Sequence, residues 1–203
     1  MAFQQFTFPQ VLADLELTCH DADSYGHVPE EAVSAEREAS IRYAARLATA
    51  YDTEKARSGF MIAPVLLELH RRYPGTFALF SGAELVADVN RGLNGICDFL
   101  LADPISQHIV TTPIVSVVEA KNDRIRNGLG QCIATMFAAK LLNDAGKNPR
   151  RGIHGVVSTG THWKFLKLTD SSLAMDAREY QLDALGKLFA ILGSIVKSSR
   201  PPV

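Results

Sequence analysis

The stretch Pro113-Ile-Val-Ser-Val-Val-Glu-Ala-Lys121 decides the fold of this sequence. Its run from Ile114 to Ala120 is almost continuously apolar, which is typical of a central strand that is covered on both faces. Side chains two positions apart on a strand point to the same face, so we expect Glu119 and Lys121 to project together from the end of the strand. Charges at the end of a buried strand are costly unless they have a partner or bind a metal. The stretch therefore predicts the centre of a sheet and a functional site at its edge.

Periodic segments on either side of this strand predict an α/β fold. Apolar residues at helical or strand spacing, with Gly and Pro between them, mark the elements. The predicted elements are a helix from Ser34 to about residue 50, a helical run over Thr53–Arg72 with a kink or break at Pro64, strands over Phe77–Phe80 toward Val86, over Ile96–Leu101 and over Ile114–Ala120, a helix over Gly130–Asn143, strands over Gly152–Thr159 and His162–Leu168, and a helix over Arg178–Lys197. This order, α-β-β-β-α-β-β plus additional N- and C-terminal helices, predicts a mixed central sheet flanked by helices.

Length and composition indicate a globular protein. The chain has 203 residues, of which 47% are hydrophobic and 21% charged, which excludes wholesale disorder and suits one domain. No apolar run approaches the roughly 18 residues that a membrane-spanning helix needs. Three cysteines without a CxxC spacing favour reduced thiols in a cytoplasmic protein, and Met1–Gln10 lacks the features of a secretory signal.

The formal net charge of −1 conceals an uneven distribution of charge. Residues 1–36 contain seven acidic residues and no Lys or Arg, whereas the other 167 residues sum to +6. This asymmetry predicts an acidic N-terminal arm over residues 1–33 and a mildly basic domain over residues 34–203, with a core at about residues 53–168. The near-neutral total argues against a protein that coats nucleic acid by bulk charge, but a local nucleic-acid site remains compatible with it.

Asp98 adds a second carboxylate to the predicted site. It lies on the strand that precedes Ile114–Ala120 and can pair with it, which would bring Asp98 close to Glu119. Two carboxylates with the Ala120 carbonyl between them are oxygen ligands suited to Mg²⁺, which binds few protein ligands and keeps several waters. Such a metal lowers the pKa of a bound water and stabilises charge on a phosphoryl group. Lys121 would position or activate the attacking water, or hold the phosphate.

Each of these residues also has a purely structural interpretation. Ten Glu and eight Lys in 203 residues give roughly 0.4 Glu-x-Lys triplets by chance, so the context of the triplet matters more than the triplet itself. Asp98 can cap a turn or pair with a basic residue, and Glu119 with Lys121 can form a plain salt bridge at a strand end.

Three segments together resemble the PD-(D/E)XK nuclease superfamily, which has the restriction-endonuclease-like fold. They are Gly95-Ile-Cys-Asp-Phe-Leu-Leu101, Val117-Val-Glu-Ala-Lys-Asn122 and Gly128-Leu-Gly-Gln-Cys-Ile-Ala-Thr-Met136, within a resemblance that covers roughly Thr53 to Leu168. The resemblance implies the following roles: Asp98 and Glu119 as metal-binding acids, Lys121 as the motif lysine, Gln131 as the glutamine that many members carry on the next helix, and Glu54 as the acid of the first core helix, with Glu68 as a second candidate for that acid. Gln131 can equally be an ordinary helix residue, and Glu54 a solvated helix acid.

The resemblance implies a Mg²⁺-dependent nuclease, with Mn²⁺ as a possible substitute and DNA as the expected substrate. A homodimer is expected because a small nuclease without a reader domain needs two copies to cut two strands, and the apolar C-terminal helix or the helix over residues 34–50 is the expected interface. The alternatives are a catalytically inactive nucleic-acid-binding or assembly module with this fold, and an unrelated α/β binding protein in which the triplet arises by chance.

Two basic loops are candidates for contacts with nucleic acid. Arg124 and Arg126 follow the strand that ends in Lys121, and Lys147, Arg150 and Arg151 precede the next predicted strand. Both loops are expected beside the site, where such residues bind phosphates without reading sequence. The alternative is that these are solvated loop charges. Neither loop contains interleaved aromatic residues that would stack on single strands.

Overall fold

A computed structural model describes residues 3–147 and 152–198 of the chain. It contains six α-helices and eight strands within these residues. In chain order they are α1 (Gln10–Asp14), β1 (Thr18–Ala22), α2 (Ala35–Tyr51), α3 (Glu54–Arg57), α4 (Ala63–Arg72), β2 (Ala78–Asp88), β3 (Leu93–Ala102), β4 (Ile114–Ala120), α5 (Ile125–Ala145), β5 (Ile153–Ser158), β6 (His162–Thr169), β7 (Ser172–Asp176), β8 (Tyr180–Gln181) and α6 (Leu185–Ser198).

The strands form one mixed sheet in the order β1-β7-β6-β5-β4-β3-β2, and β8 pairs with β6. Strands β4 and β5 are parallel and are connected through α5, whereas β3 pairs antiparallel with both β2 and β4. All seven residues of β4 are buried, which confirms the prediction of a central strand. The predicted fold class is also confirmed: this is a mixed α/β protein with an open sheet flanked by helices, consistent with a restriction-endonuclease-like fold.

Two apolar clusters cover the two faces of the sheet. One contains residues of α2, α4 and α6, such as Ile41, Leu66 and Leu188. The other contains the apolar side of α5 together with Phe3 and Val11 of the N-terminal segment. Because α6 contributes nine buried residues to the fold, its apolar side is used within the protein and is not free to form the dimer interface that the sequence suggested.

The acidic N-terminal segment packs into the fold at several points. Thr18 to Ala22 pair in parallel with Ser172 to Asp176 at one edge of the sheet, and Phe3 is buried against Gly95. The domain boundary at residue 33 stays a prediction, but the segment before it supplies a strand and core residues.

Several predicted boundaries are wrong. The C-terminal helix begins at Leu185 and not at Arg178, because Tyr180 and Gln181 pair with β6. Strands β1, β7 and β8 were not predicted. Pro64 does not break the helical run. Instead, a π-helical turn over Ser58–Ile62 precedes α4, whose second residue is Pro64, a position where the missing N–H of proline costs little.

Gly130 allows the N-terminal segment to lie directly on α5. A Cβ at this position would be 2.3 Å from the carbonyl oxygen of Phe6 and 2.7 Å from Cα of Thr7. We expect Gly130→Ala to lower the free energy of unfolding by about 2 kcal/mol, because backbone atoms must move apart to make room. Gly59→Ala is the matched control. No atom lies within 4 Å of the added Cβ there, and we expect a gain of roughly 0.5–1 kcal/mol. Urea titrations of both variants test this, and an equal effect of the two substitutions would contradict it.

His154 makes the free energy of unfolding depend on pH. Burial lowers the pKa of His154 to about 4, with a smaller contribution from Lys167, and its Nδ1 lies 2.9 Å from the Tyr25 hydroxyl. Histidine in the unfolded chain has a pKa of about 6.5, so the unfolded state binds the proton more tightly. Protonation therefore costs stability as the pH falls from about 6.5 toward 4, and the cost is constant below that range.

We expect the free energy of unfolding to fall by about 2 kcal/mol more between pH 7 and pH 5 in the wild type than in His154→Asn. Asn cannot titrate, and the comparison cancels the other groups that change protonation in this range. Urea titrations at the two pH values provide the measurement, and parallel pH dependences would show that His154 is not responsible.

A helix that spans a membrane has to be both long and apolar, and the helices of this protein do not meet both conditions within the described residues.

Candidate active site

The candidate site forms where β3 and β4 separate. The last backbone pair of these two strands is Phe99 with Val118, and beyond it Asp98 and Glu119 occupy neighbouring positions. The Ala120 N–H donates to Oδ2 of Asp98 at 2.8 Å, so a carboxylate takes the place of a backbone carbonyl. Asp98 therefore bridges the two strands, whereas its structural interpretation was a turn cap or an ion pair with a basic residue, and it lies where the sequence predicted a second acid.

Lys121 lies at the centre of the cluster. Its Nζ donates to Oε1 of Glu119 at 2.9 Å and lies 3.5 Å from Oε1 of Gln131 and 3.8 Å from Oε2 of Glu54. Glu119 and Gln131 are buried, Lys121 is mostly buried, and Glu54 is half exposed. The structure thus brings together all five side chains that the sequence singled out, although they come from four different elements and the loop residue after β4.

The N-terminus of α3 directs Glu54 toward Lys121. Thr53 caps the helix, with its hydroxyl accepting a hydrogen bond from the Ala56 N–H. Arg57 then fixes the helix to the sheet, because its guanidinium donates to Asp52 and, at 2.9 Å, to the carbonyl oxygen of Thr159 in the β5–β6 turn. No sequence pattern indicates this role of Arg57, because the contact joins residues 102 positions apart.

Glu68 does not belong to this cluster. Its buried carboxylate accepts hydrogen bonds from Arg71 and Arg72, and it lies 3.8 Å from Arg37. The hydrogen bonds from Arg71 and Arg72 lower the pKa of Glu68, although burial opposes the shift. Of the two candidate acids on the first core helix, Glu54 is the one that the fold places beside Lys121.

Two carboxylates side by side give the site its electrostatic character. Burial, followed by the charge of Asp98, raises the pKa of Glu119 to about 8, although Lys121 opposes the shift. Burial alone would lower the pKa of Lys121, but Glu119 raises it, so Lys121 remains an ammonium group. A pair of acids that one lysine only partly neutralises is an arrangement that a bound cation would stabilise.

These residues fit a magnesium ion. Within the described ranges, no three His, Cys, Asp or Glu side chains are grouped in a way that could hold a metal. Mg²⁺ usually needs only one or two carboxylates, together with waters and substrate phosphates. Asp98 and Glu119 are such a pair, and the Ala120 carbonyl belongs to the backbone between Glu119 and Lys121.

Gly128 shapes the space around Lys121. A Cβ at this position of α5 would lie 3.0 Å from Cγ of Lys121 and 2.6 Å from Cγ1 of Val157. The lysine stem thus runs against the backbone of α5 at a point where only glycine leaves room. Gly128 belongs to one of the three segments that resemble the nuclease superfamily. Its contact with Lys121 could not be predicted, because it depends on how α5 packs on β4 and β5.

Of the two basic loops, the one with Arg124 and Arg126 lies beside the site. Arg124 and Arg126 line a cleft of about 360 Å³ with Thr159 and His162, next to the end of β4. Lys147 follows the C-terminus of α5, which lies about 21 Å along the helix axis from Gln131, at 1.5 Å per residue. The structure therefore does not bring Lys147 to the site, and Arg150 and Arg151 lie outside the described residues.

Comparison with known proteins adds little to this picture. No protein-family model matches the chain, and no curated protein matches it. Among solved structures, the chain is similar to one described as the cryoEM structure of a DrdV–DNA complex, at 13% sequence identity and a TM-score of 0.47. The match covers 83% of this chain and 14% of that one. The fold class given above is based on the order of elements and strands.

Proposed function

We propose that this protein is a metal-dependent nuclease that hydrolyses phosphodiester bonds, with DNA as its expected substrate. The convergence of Asp98, Glu119, Lys121, Gln131 and Glu54 at the end of β4 is the observation that supports this proposal. Asp98, Glu119 and the Ala120 carbonyl would hold Mg²⁺ or, in its place, Mn²⁺. When bound, the metal would lower the pKa of a water and stabilise negative charge on the phosphoryl group.

The protein side chains would share the remaining tasks. Lys121, which remains an ammonium group, would orient the attacking water or hold a phosphate oxygen. Gln131 would keep the amine of Lys121 in place from α5, and Glu54 would support it from α3. Arg124 and Arg126 would bind substrate phosphates in the adjacent cleft, which gives affinity that depends on salt but not on sequence.

Cleavage of nucleic acid in the presence of defined metals tests this proposal. Plasmid DNA, single-stranded DNA and RNA are incubated with Mg²⁺, Mn²⁺ or EDTA, and we expect metal-dependent cleavage of DNA. Asp98→Asn is the informative variant, because its amide oxygen can still accept the Ala120 N–H whereas the negative charge is lost. We expect at least a hundredfold lower rate if Asp98 binds metal.

Asp88→Asn, on the edge strand β2, provides the matched control. If Asp98→Asn keeps its activity, the role of Asp98 is limited to accepting the Ala120 N–H, and the metal site is contradicted. If the wild type cuts no nucleic acid and calorimetry detects no metal binding, the alternative of an inactive nucleic-acid-binding or assembly module would be favoured.

We keep the homodimer and the cytoplasmic location as proposals that accompany this function. Two copies would be needed to cut both strands of a duplex. Sedimentation equilibrium measures the oligomeric state, and a monomer that nonetheless linearises plasmid DNA would argue against the need for a dimer.

A further inference from the structure

A stripe of large apolar side chains lies exposed along helix α2. Tyr43, Leu47 and Tyr51 are 66%, 46% and 77% exposed, respectively. They are spaced by four residues and therefore follow one side of the helix, over about 12 Å. Exposed apolar groups that are contiguous, and not scattered singly, mark an interaction surface.

Helix α2 carries two arginines beside this stripe, and Asp183 lines the same groove as they do. Residues 39–51 contain Arg42 and Arg46 and no acidic residue. Both arginines line a groove of about 500 Å³ between α2 and the segment around Thr161 and Leu182. Arg42 is held there by Glu38 at 2.7 Å and by the carbonyl oxygen of Asp183 at 3.2 Å, and Arg46 forms no ion pair within the described part of the chain.

The stripe leads to the candidate active site. Helix α2 ends at Tyr51, the chain reverses at Asp52 in a left-handed conformation, and α3 begins with Glu54. Three residues span at most about 11 Å, so Tyr51 lies close to Glu54, whose carboxylate is 3.8 Å from the amine of Lys121. Asp52 is held to Arg57 at 2.7 Å, which fixes the end of the stripe relative to the site.

Aromatic rings interleaved with arginines match the chemistry of unpaired bases. Flat bases stack on exposed aromatic side chains whatever the base, while a positively charged groove follows the phosphates. In a duplex these base faces are covered by neighbouring pairs. A second copy of the chain is a poorer partner for this stripe, because it would bring Arg46, whose charge no ion pair in the described residues balances, close to the same residue of the other copy.

We propose that Tyr43 and Tyr51 stack on unpaired bases of a nucleic-acid strand whose phosphates lie along Arg42 and Arg46, and that this strand continues toward Lys121. The inference rests on the proposed function and narrows it, since it assigns substrates with a single-stranded stretch to the site. It adds helix α2, which the sequence suggested only as a dimer interface, to the substrate-binding surface.

Binding measurements with the two tyrosines changed to leucine test the stacking. Fluorescence anisotropy is measured with a labelled oligothymidylate and with a labelled duplex, in a Lys121→Met background in which we expect cleavage to be too slow to interfere. Leucine keeps an apolar surface but removes the aromatic face. We expect the double variant Tyr43→Leu, Tyr51→Leu to bind the single strand about tenfold more weakly for each tyrosine, with less than a twofold change for the duplex.

Two controls accompany the leucine variant. The double variant Tyr43→Phe, Tyr51→Phe keeps the rings and should bind within about twofold of the parent, and Leu67→Ala removes an exposed apolar residue of α4 and should have no effect. Unchanged binding of the single strand by the leucine variant overturns the proposal, as does an equal loss on the duplex. A dimer would also overturn the proposal if sedimentation equilibrium detects it in the wild type and Leu47→Glu dissociates it. A second copy would then cover the stripe.

These outcomes separate the inference from the proposed function. If the protein cleaves DNA but its binding does not depend on the two tyrosines, the proposed nuclease function stands and the proposed stacking surface is wrong. If the two tyrosines are needed for binding single strands but no cleavage is found, the stacking surface stands and the nuclease function is wrong. If neither cleavage nor single-strand binding is found, both proposals fail.

Discussion

Replacing Lys121 by methionine is expected to lower the rate of DNA cleavage about a thousandfold. The substitution keeps a long apolar stem against Gly128 but removes the ammonium group that faces Glu119, Gln131 and Glu54. A single preorganised donor at a developing charge contributes roughly 10²- to 10³-fold, and the loss of a full charge in a buried site belongs at the upper end. The measurement is the initial rate of plasmid cleavage with Mg²⁺, at equal concentrations of folded protein.

Lys140→Met is the matched control for this prediction. Lys140 also forms an ion pair, with Asp144 at 2.6 Å, but on the outer side of α5. Removing an exposed pair of this kind is nearly neutral, so we expect full activity. Similar rates for the two variants would show that Lys121 has no special role, whereas a loss confined to Lys121→Met excludes a general effect of removing a lysine.

Replacing Glu68 by alanine is expected to cost about 4 kcal/mol of folding free energy. The Glu68 side chain is only 5% exposed and holds Arg72, which is 16% exposed, as well as Arg71. Breaking a buried ion pair by removing one partner leaves an uncompensated charge and typically costs 3–5 kcal/mol. For a protein of about 200 residues this corresponds to a fall in Tm of roughly 8–16 °C, which calorimetry or urea titration would detect.

Glu38→Ala serves as the comparison, because Glu38 pairs with Arg42 at the surface, and its loss should cost less than about 0.5 kcal/mol. The same Glu68 variant also tests the assignment of the site. Below its unfolding transition, Glu68→Ala should retain its cleavage rate per folded molecule, whereas Glu54→Ala should not. A rate lost in Glu68→Ala while the protein is folded would reverse the choice between the two acids.

The sequence alone predicted the centre of this fold well and its edges poorly. Strand β4 was predicted with its exact bounds because burial on both faces produces an uninterrupted apolar run. Strand β1 was missed because its first four residues are exposed, so it has no apolar alternation. The length of α5 was underestimated because its first turn, from Ile125, is partly exposed and carries Arg126 and Asn127.

For the candidate site, too, the sequence predicts the residues on the central strands better than those that depend on helix packing. Strand spacing predicted that Glu119 and Lys121 project together, because side chains two residues apart share a face, and the expected pairing of two strands predicted Asp98 beside them. The choice of Glu54 over Glu68 required the structure, since the π-helical turn over Ser58–Ile62 changes the face on which later residues lie. The contact of Gly128 with Lys121 and the exposure of Tyr43 and Tyr51 likewise depend on how helices pack on the sheet.

The parallel pairing of β1 with β7 also sets the order in which the protein is completed. Thr18 pairs with Ser172, so the first strand to be synthesised has to wait for nearly the last one. At about 5–20 residues per second on a ribosome, roughly 8 to 30 s pass before this edge of the sheet can close. During that interval Thr18–Ala22 has no neighbouring strand to pair with. Residues 1–36 contain seven acidic residues and no Lys or Arg, and these charges would then keep the waiting chain in solution, because added acidic residues favour solubility.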